Sequence, residues 1–235
     1  MRAIVLGDAH GRTELITNVL RHSNYNPDED RLIFAGDALD IGPDGRECLD
    51  ILAENKAIFL LGNHELSIIL HHPVGPQNTD SWMLFGRLLR MRAQGKLKIA
   101  AVHDNVLITH AGLSSVYYMK YKDWPLIDIA GDLNAQSNNS SEDAQILEQY
   151  WNDDSPIWYR PGSTEPYPDI TQICGHTPVS YVRKYFSKFN LENFYMIDPY
   201  TPNNFESKDR YRYATIEKGG KVIIHDSRKT EGFEA

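Results

Sequence analysis

The stretch Ile4-Val5-Leu6-Gly7-Asp8-Ala9-His10-Gly11 sets an apolar run directly against a glycine, a carboxylate and an imidazole. A short apolar run bounded by glycine reads as a strand buried on both faces of a sheet. In α/β sheets, ligands gather just beyond the carboxyl ends of such strands, where glycine permits a tight turn and close backbone approach. The junction recurs along the chain. Ile33-Phe34-Ala35 runs into Gly36-Asp37, and Phe59-Leu60-Leu61 into Gly62-Asn63-His64. Leu107-Ile108-Thr109 runs into His110-Ala111-Gly112, and Ile173-Cys174 into Gly175-His176. One Gly-Asp after a strand is ordinary turn chemistry. Five tips that each offer an oxygen or imidazole ligand point instead to a metal site. Mixed oxygen and nitrogen donors suit manganese, iron or zinc, whereas magnesium and calcium favour all-oxygen shells.

Between these strands the pattern turns helical. Thr13–His22 carries Leu15, Ile16, Val19 and Leu20 on one face. The segment after Asp44 opens with Asp44 and Glu47 at capping-box spacing and continues through Cys48, Ile51 and Leu52. The spacing of Trp82, Phe85 and Leu89 predicts a helix over Ser81–Arg92. Leu97–Val102 and Val106–Thr109 read as a strand pair turning at Asp104-Asn105, and further strands are expected at 172–174, 194–197, 211–216 and 221–224. Such an order implies an α/β architecture. Residues 117–158 break the rhythm with the polar run Asn134–Asp143 and a helix reaching Trp151, a pattern shared by lid or recognition insertions and by plain solvated surface. The tail from Ser227 is polar and expected to fray.

At 235 residues the chain is long enough for one large domain, expected to span 1–235. No apolar run approaches the ~18 residues of a membrane span, and the short apolar start reads as a first strand, so a cytoplasmic protein is expected. Cys48 and Cys174 give no CxxC spacing, which excludes a thiolate zinc site. A net charge of −8 argues against nucleic-acid or anionic-membrane partners. An anionic small substrate stays open, because bound cations reverse the sign locally.

In order, Gly7-Asp8-Ala9-His10-Gly11, Gly36-Asp37-Ala38-Leu39-Asp40, Gly62-Asn63-His64-Glu65, His110-Ala111-Gly112 and Gly175-His176-Thr177 resemble the motifs of the calcineurin-like metallophosphoesterases. The resemblance is to the branch of phosphoprotein phosphatases and symmetrical diadenosine tetraphosphate hydrolases. It implies a four-layer α/β/β/α sandwich of two mixed sheets flanked by helices. It also implies two divalent cations, manganese first and iron or zinc next. Asp8 and His10 would bind one, Asp37 would bridge both, and Asn63, His110 and His176 would complete the other. A hydroxide shared by the two metals would attack phosphorus, and Asn63 and His64 would also touch substrate. His64 resembles the family's general acid and Asp40 its partner.

One departure stands out. The family's second block continues Asp-Arg-Gly, the arginine gripping phosphate, whereas this chain reads Asp40-Ile41-Gly42. Ile41 offers no hydrogen bond, so Arg160, in a Trp-x-Arg-like element, is the expected phosphate-binding residue. The implied activity is hydrolysis of phosphomonoesters or phosphoproteins, with dinucleoside polyphosphates as the alternative and a non-catalytic metal-binding module as a lesser one. His22, His71, His72, His103 and His225 lie outside the motifs and read as structural or surface residues. Glu65 reads as a backbone-fixing residue, and Trp124, Trp151, Trp158 and Tyr159 as packing.

Overall fold

A computed structural model describes residues 1–75, 77–138, 144–162, 164–178, 193–199 and 210–227. The end of the polar run (139–143) and the tail from 228 lie outside the described residues.

Strands β1 (Arg2–Leu6), β2 (Asp30–Phe34), β3 (Ile58–Leu60) and β4 (Leu97–Lys98) pair in parallel. Two antiparallel strands, β9 (Arg212–Glu217) and β10 (Lys221–Asp226), extend the sheet beyond β1, giving six strands in the order β10-β9-β1-β2-β3-β4. The second sheet has the order β5-β6-β7-β8, built from Ala100–His103, Val106–Thr109, Thr171–Cys174 and Phe194–Met196. Its β5 is antiparallel to β6, and β6, β7 and β8 are parallel.

Successive strand residues point to opposite faces, and here both faces are covered. Ala3, Val5, Ile33, Ala35 and Leu60 meet Val106, Ile108 and Ile173 between the sheets. Ile4, Leu6, Leu32 and Phe34 pack outward with Ile16 and Val19 of α1 (Thr13–His22) and Leu49 and Leu52 of α2 (Gly45–Glu54). The next helix, α3 (Asn63–Leu70), begins at the tip of β3. On the other side, Ile129 and Leu133 of α7 (Leu126–Asn138) are fully buried, as are Leu147 and Tyr150 of the 3-10 turn Ala144–Tyr150. Residues 126–138 and 144–150 therefore contribute a packed helical layer, and the two-sheet, helix-flanked sandwich is the observed fold.

Three local expectations need correction. Asp44 precedes α2 but its side chain makes no capping hydrogen bond, so no capping box forms. The helix expected over 81–92 is two, α4 (Thr79–Trp82) and α5 (Phe85–Ala93). The break between them turns Leu84 into the core and leaves Met83 at the surface. The run 97–102 is also two strands, because the chain changes sheets at Ile99. Asn134 makes that crossing tolerable: its Oδ1 accepts the N–H groups of Ile99 (2.8 Å) and Ala100 (3.1 Å), and its Nδ2 donates to the Ala100 carbonyl (2.9 Å). The hairpin after β5 turns where expected, with Asp104 (φ +43°) and Asn105 (φ +62°) both left-handed, as a two-residue turn of this hand requires. Among the described residues no helix is long and apolar enough to cross a membrane.

Candidate metal centre

The strand tips are bonded to one another before any ligand is considered. Asp8 N–H donates to the Gly36 carbonyl (2.9 Å) and His10 N–H to the Asp37 carbonyl (2.9 Å), fastening the first tip to the second. Gly175 N–H donates to the His110 carbonyl (2.8 Å) in the other sheet. Asp8 Oδ2 then accepts the N–H of His176 (2.8 Å), tying one sheet to the other. Glu65, fully buried, accepts four backbone N–H groups, from Asp37, Ala38, Leu39 and Gly62, at 2.9, 2.9, 3.2 and 3.1 Å. It binds the second tip to the third.

The tips carry all six expected ligand side chains into one buried cluster: Asp8, His10, Asp37, Asn63, His110 and His176. Asp37 sits at its centre, Oδ2 lying 3.4 Å from His110 Nε2 and 3.8 Å from His10 Nε2. Asn63 Oδ1 lies 2.9 Å from both His110 Nε2 and His176 Nδ1. Two triads place their ligand atoms within 4.8 Å of one another, Asp37–His110–His176 and His10–Asp37–His64. His64 thus stands in the second where Asp8 was expected. Asp8, His10, Asp37 and His176 hold φ between +48° and +62°, a region few non-glycine residues occupy. The turns that aim these groups are strained, as at many functional sites. At Gly62 and Gly175 a Cβ would collide with the carboxylates of Asp37 and Asp8, so glycine there is a matter of space.

The donor set fits a cation. His110 donates Nδ1–H to the Ala35 carbonyl (2.8 Å), which aims its Nε2 into the cluster. There Nε2 faces two oxygens, Asn63 Oδ1 and Asp37 Oδ2. Among the described residues, the buried Asp8 Oδ1 and His176 Nε2 have no hydrogen-bond partner. A buried acceptor without a partner costs about 1–3 kcal/mol, which a cation placed between these two would offset.

Electrostatics agree. Burial lowers His10 to about 4 and holds His176 well below the ordinary imidazole value, aided by Arg160 and His110. Both rings stay neutral near pH 7, the form that binds metal. Burial, then Asp198 and Asp37, raises the Asp8 carboxyl, whereas His110, His64 and His10 outweigh burial and hold Asp37 well below the carboxylate range.

The other expected site residues surround this cluster. His64 Nδ1 donates to Asp40 Oδ2 (2.8 Å). Burial opposes a charge on His64, but Asp37 and Asp40 raise it to about 9. Asp40, fully buried, also accepts from Gln77 Nε2 (3.2 Å) and Asn78 N–H (3.3 Å). Arg160 reaches the cluster's edge, donating to the His176 carbonyl (2.7 Å) and Thr177 Oγ1 (3.3 Å). A cleft of ≈380 Å³ opens over the cluster, and Ile41, Arg160, Pro178 and Asp198 help to line it. Ile41 is 39% exposed there. Among the described residues nothing from 117–158 lines it.

Asp198 and Gln77 escape the sequence reading. Asp198 follows β8 without an intervening glycine, so the glycine-tip pattern passes over it; Gln77 lies in a loop with no pattern. Glu65 fixes backbone, as its place after the third tip suggests. His71 caps α3 and packs on Trp82 and Phe85, and His103 Nε2 lies 3.1 Å from the Met1 carbonyl. Trp158 stands edge-on to both Trp151 and His176.

A sequence profile described as calcineurin-like phosphoesterase matches residues 1–201. Serine/threonine-protein phosphatase 1 of Salmonella typhimurium is 35% identical over 82 residues, covering 35% of this chain and 37% of that one. A symmetrical bis(5'-nucleosyl)-tetraphosphatase of Marinomonas is 35% identical over 71 residues, 29% of this chain and 26% of that one. The chain thus matches well under half the length of these relatives. Its backbone resembles a cold-active protein-tyrosine phosphatase of Shewanella, with TM-score 0.63, 15% identity, and coverage of 95% of this chain and 80% of that one. It also resembles a serine/threonine phosphatase of Saccharomyces cerevisiae, with TM-score 0.56, 19% identity, and coverage of 96% and 79%.

Proposed function

This chain belongs to the calcineurin-like phosphoesterase family, and on that premise we propose that it is a metal-dependent hydrolase of phosphomonoesters, including phosphoproteins. The carrying observation is the convergence of Asp8, Asp37, Asn63, His110 and His176 in one buried cluster, in which Asp8 Oδ1 and His176 Nε2 have no hydrogen-bond partner among the described residues. Asp8, His10 and Asp37 would hold one divalent cation, and Asp37, Asn63, His110 and His176 a second, with manganese first, as the family resemblance implies, and iron or zinc next. When bound, such a pair supplies Lewis acidity that ionises water and draws charge from phosphate oxygens.

The chain's own groups supply the rest. Arg160 lines the cleft and offers a guanidinium to a phosphate oxygen. His64 also lines the cleft, and its Nδ1 is engaged by Asp40, which leaves Nε2–H as the proton to deliver to the leaving oxygen. With the charge of Asp37 taken up by cations, Asp40 is the group that keeps His64 oriented and protonated. Burial of the cluster keeps bulk water from screening these charges.

A monoester is favoured over a dinucleoside polyphosphate because Arg160 is the only lysine or arginine lining the cleft among the described residues. A four-phosphate chain would call for more cationic arms. The test is turnover with manganese of p-nitrophenyl phosphate, a phosphoseryl peptide and diadenosine tetraphosphate. Phosphate release from the first two supports the reading. Selective formation of adenosine diphosphate from the third would replace it with the nucleotide reading. Inertness toward all three, with metal bound, would leave a non-catalytic metal-binding module.

A further inference from the structure

A larger cleft, ≈700 Å³, opens between α2 and α5, beside the edge strand β4. It shares no residue with the cleft over the metal centre. Its β3 residues, Ile58 and Phe59, lie at the start of that strand, whereas Asn63 follows its end. Leu49, Leu52, Ile58, Phe59 and Met91 give it an apolar floor. Lys56, Arg87, Arg90, Lys96 and Lys98 rim it, and among the described residues no aspartate or glutamate lines it. On a chain of net charge −8 this is a marked segregation of positive charge.

Arg87 is paired with Asp50 at 2.6 Å. Among the described residues, the side-chain cations of Lys56, Arg90, Lys96 and Lys98 have no hydrogen-bonded or ionic partner. Two of the four have a use within the fold. Arg90 lies in the last turn of α5 and Lys56 just past the end of α2, where a cation offsets the exposed carbonyls of a helix C-terminus. Lys96 follows α5, its amide closing that helix end on the Met91 carbonyl (2.9 Å), while Lys98 lies on β4, at neither helix end.

We infer that this cleft is a second binding site, for a small, free organic polyanion with an apolar body. Its volume falls in the range of about 300–1,000 Å³ typical of small-molecule sites. An inorganic anion would engage the rim and leave the floor wet. An uncharged apolar ligand would bring the four cations toward a low-dielectric surface with nothing to neutralise them. A ligand that carries both features satisfies rim and floor together.

The probe is the dianionic dye bis-anilinonaphthalene disulfonate, titrated into the metal-loaded protein. Its fluorescence should rise and saturate at one dye per chain, with amide resonances of Ile58, Phe59 and Met91 shifting in step. The double variant Lys96→Gln/Lys98→Gln should weaken binding at least about tenfold, since each lost charge-assisted contact costs more than a neutral one. Arg160→Gln, in the other cleft, should leave it unchanged. Equal affinity in the double variant overturns the inference. So do loss of binding in Arg160→Gln, and resonance shifts confined to Asn63, His64 and His176 in the unsubstituted protein.

Discussion

Glu65 accepts the backbone N–H of Asp37 at 2.9 Å, while Asp37 accepts the backbone N–H of His64 at 3.0 Å, so the second and third strand tips hold each other in place. The Glu65 carboxylate, both oxygens of which accept backbone N–H groups, cannot be made an amide without setting a new N–H against existing ones. Glu65→Gln is expected to cost about 2–4 kcal/mol, because a buried acceptor with four donors becomes partly a donor. Urea unfolding checks it, and a loss under about 1 kcal/mol would show that the tips stand without Glu65.

Metal should stabilise the fold through the same cluster. At a free manganese concentration one hundred times its Kd, the unfolding free energy should rise by about 2.7 kcal/mol per site. Asp37→Asn, which removes charge from the group central to both triads, should abolish most of the rise and lower the bound metal found by elemental analysis. An undiminished thermal shift in that variant would remove Asp37 from the ligand set.

Ile41 carries an exposed β-branched side chain at φ +63°, where L-residues are strained. Ile41→Asn should raise the unfolding free energy by about 0.5–1 kcal/mol, since asparagine tolerates this region. Ile41→Arg should lower the KM for p-nitrophenyl phosphate roughly five- to tenfold by adding a guanidinium beside the cleft. An unchanged KM would mean that the side chain at 41 does not reach the phosphate.

Arg2 donates Nε to Asp30 Oδ1 (2.9 Å) and Nη2 to Asp30 Oδ2 (2.7 Å), and this hydrogen bonding holds Asp30 below its ordinary value against the opposing effect of burial. A carboxyl depressed in the folded state adds stability above its unfolded pKa and loses it as pH falls through the folded one. Asp30→Asn should therefore cost about 0.5–1 kcal/mol at pH 7. The gap to the unsubstituted protein should close as the pH drops below about 4. A gap that stays constant from pH 7 down to pH 3 would rule out the ion pair as its source.

Leu133 of α7 is fully buried. Leu133→Ala should destabilise by about 2–5 kcal/mol, as expected for a core leucine. A cost below about 1 kcal/mol would return 117–158 to the status of a loosely attached insertion.

The six clustered side chains, and the strands that carry them, are legible because each rests on local chemistry: an apolar run, a glycine, then a donor at a strand's end. A strand's direction and a glycine's permissiveness are encoded within a few residues, so the tips can be read one at a time. What stayed hidden depends on partners far apart in the chain. Nothing near Leu97–Val102 announces that the chain changes sheets at Ile99, because the residue that satisfies the crossing, Asn134, lies in what reads as a polar run. The packing of α7 is equally hidden, because Ile129 and Leu133 find their partners only once the second sheet is in place. Asp198 joins the cleft, and Lys56, Arg90, Lys96 and Lys98 surround the other, by packing alone. Local sequence sets backbone direction and donor type; which distant groups share a space is settled when the two sheets close on each other.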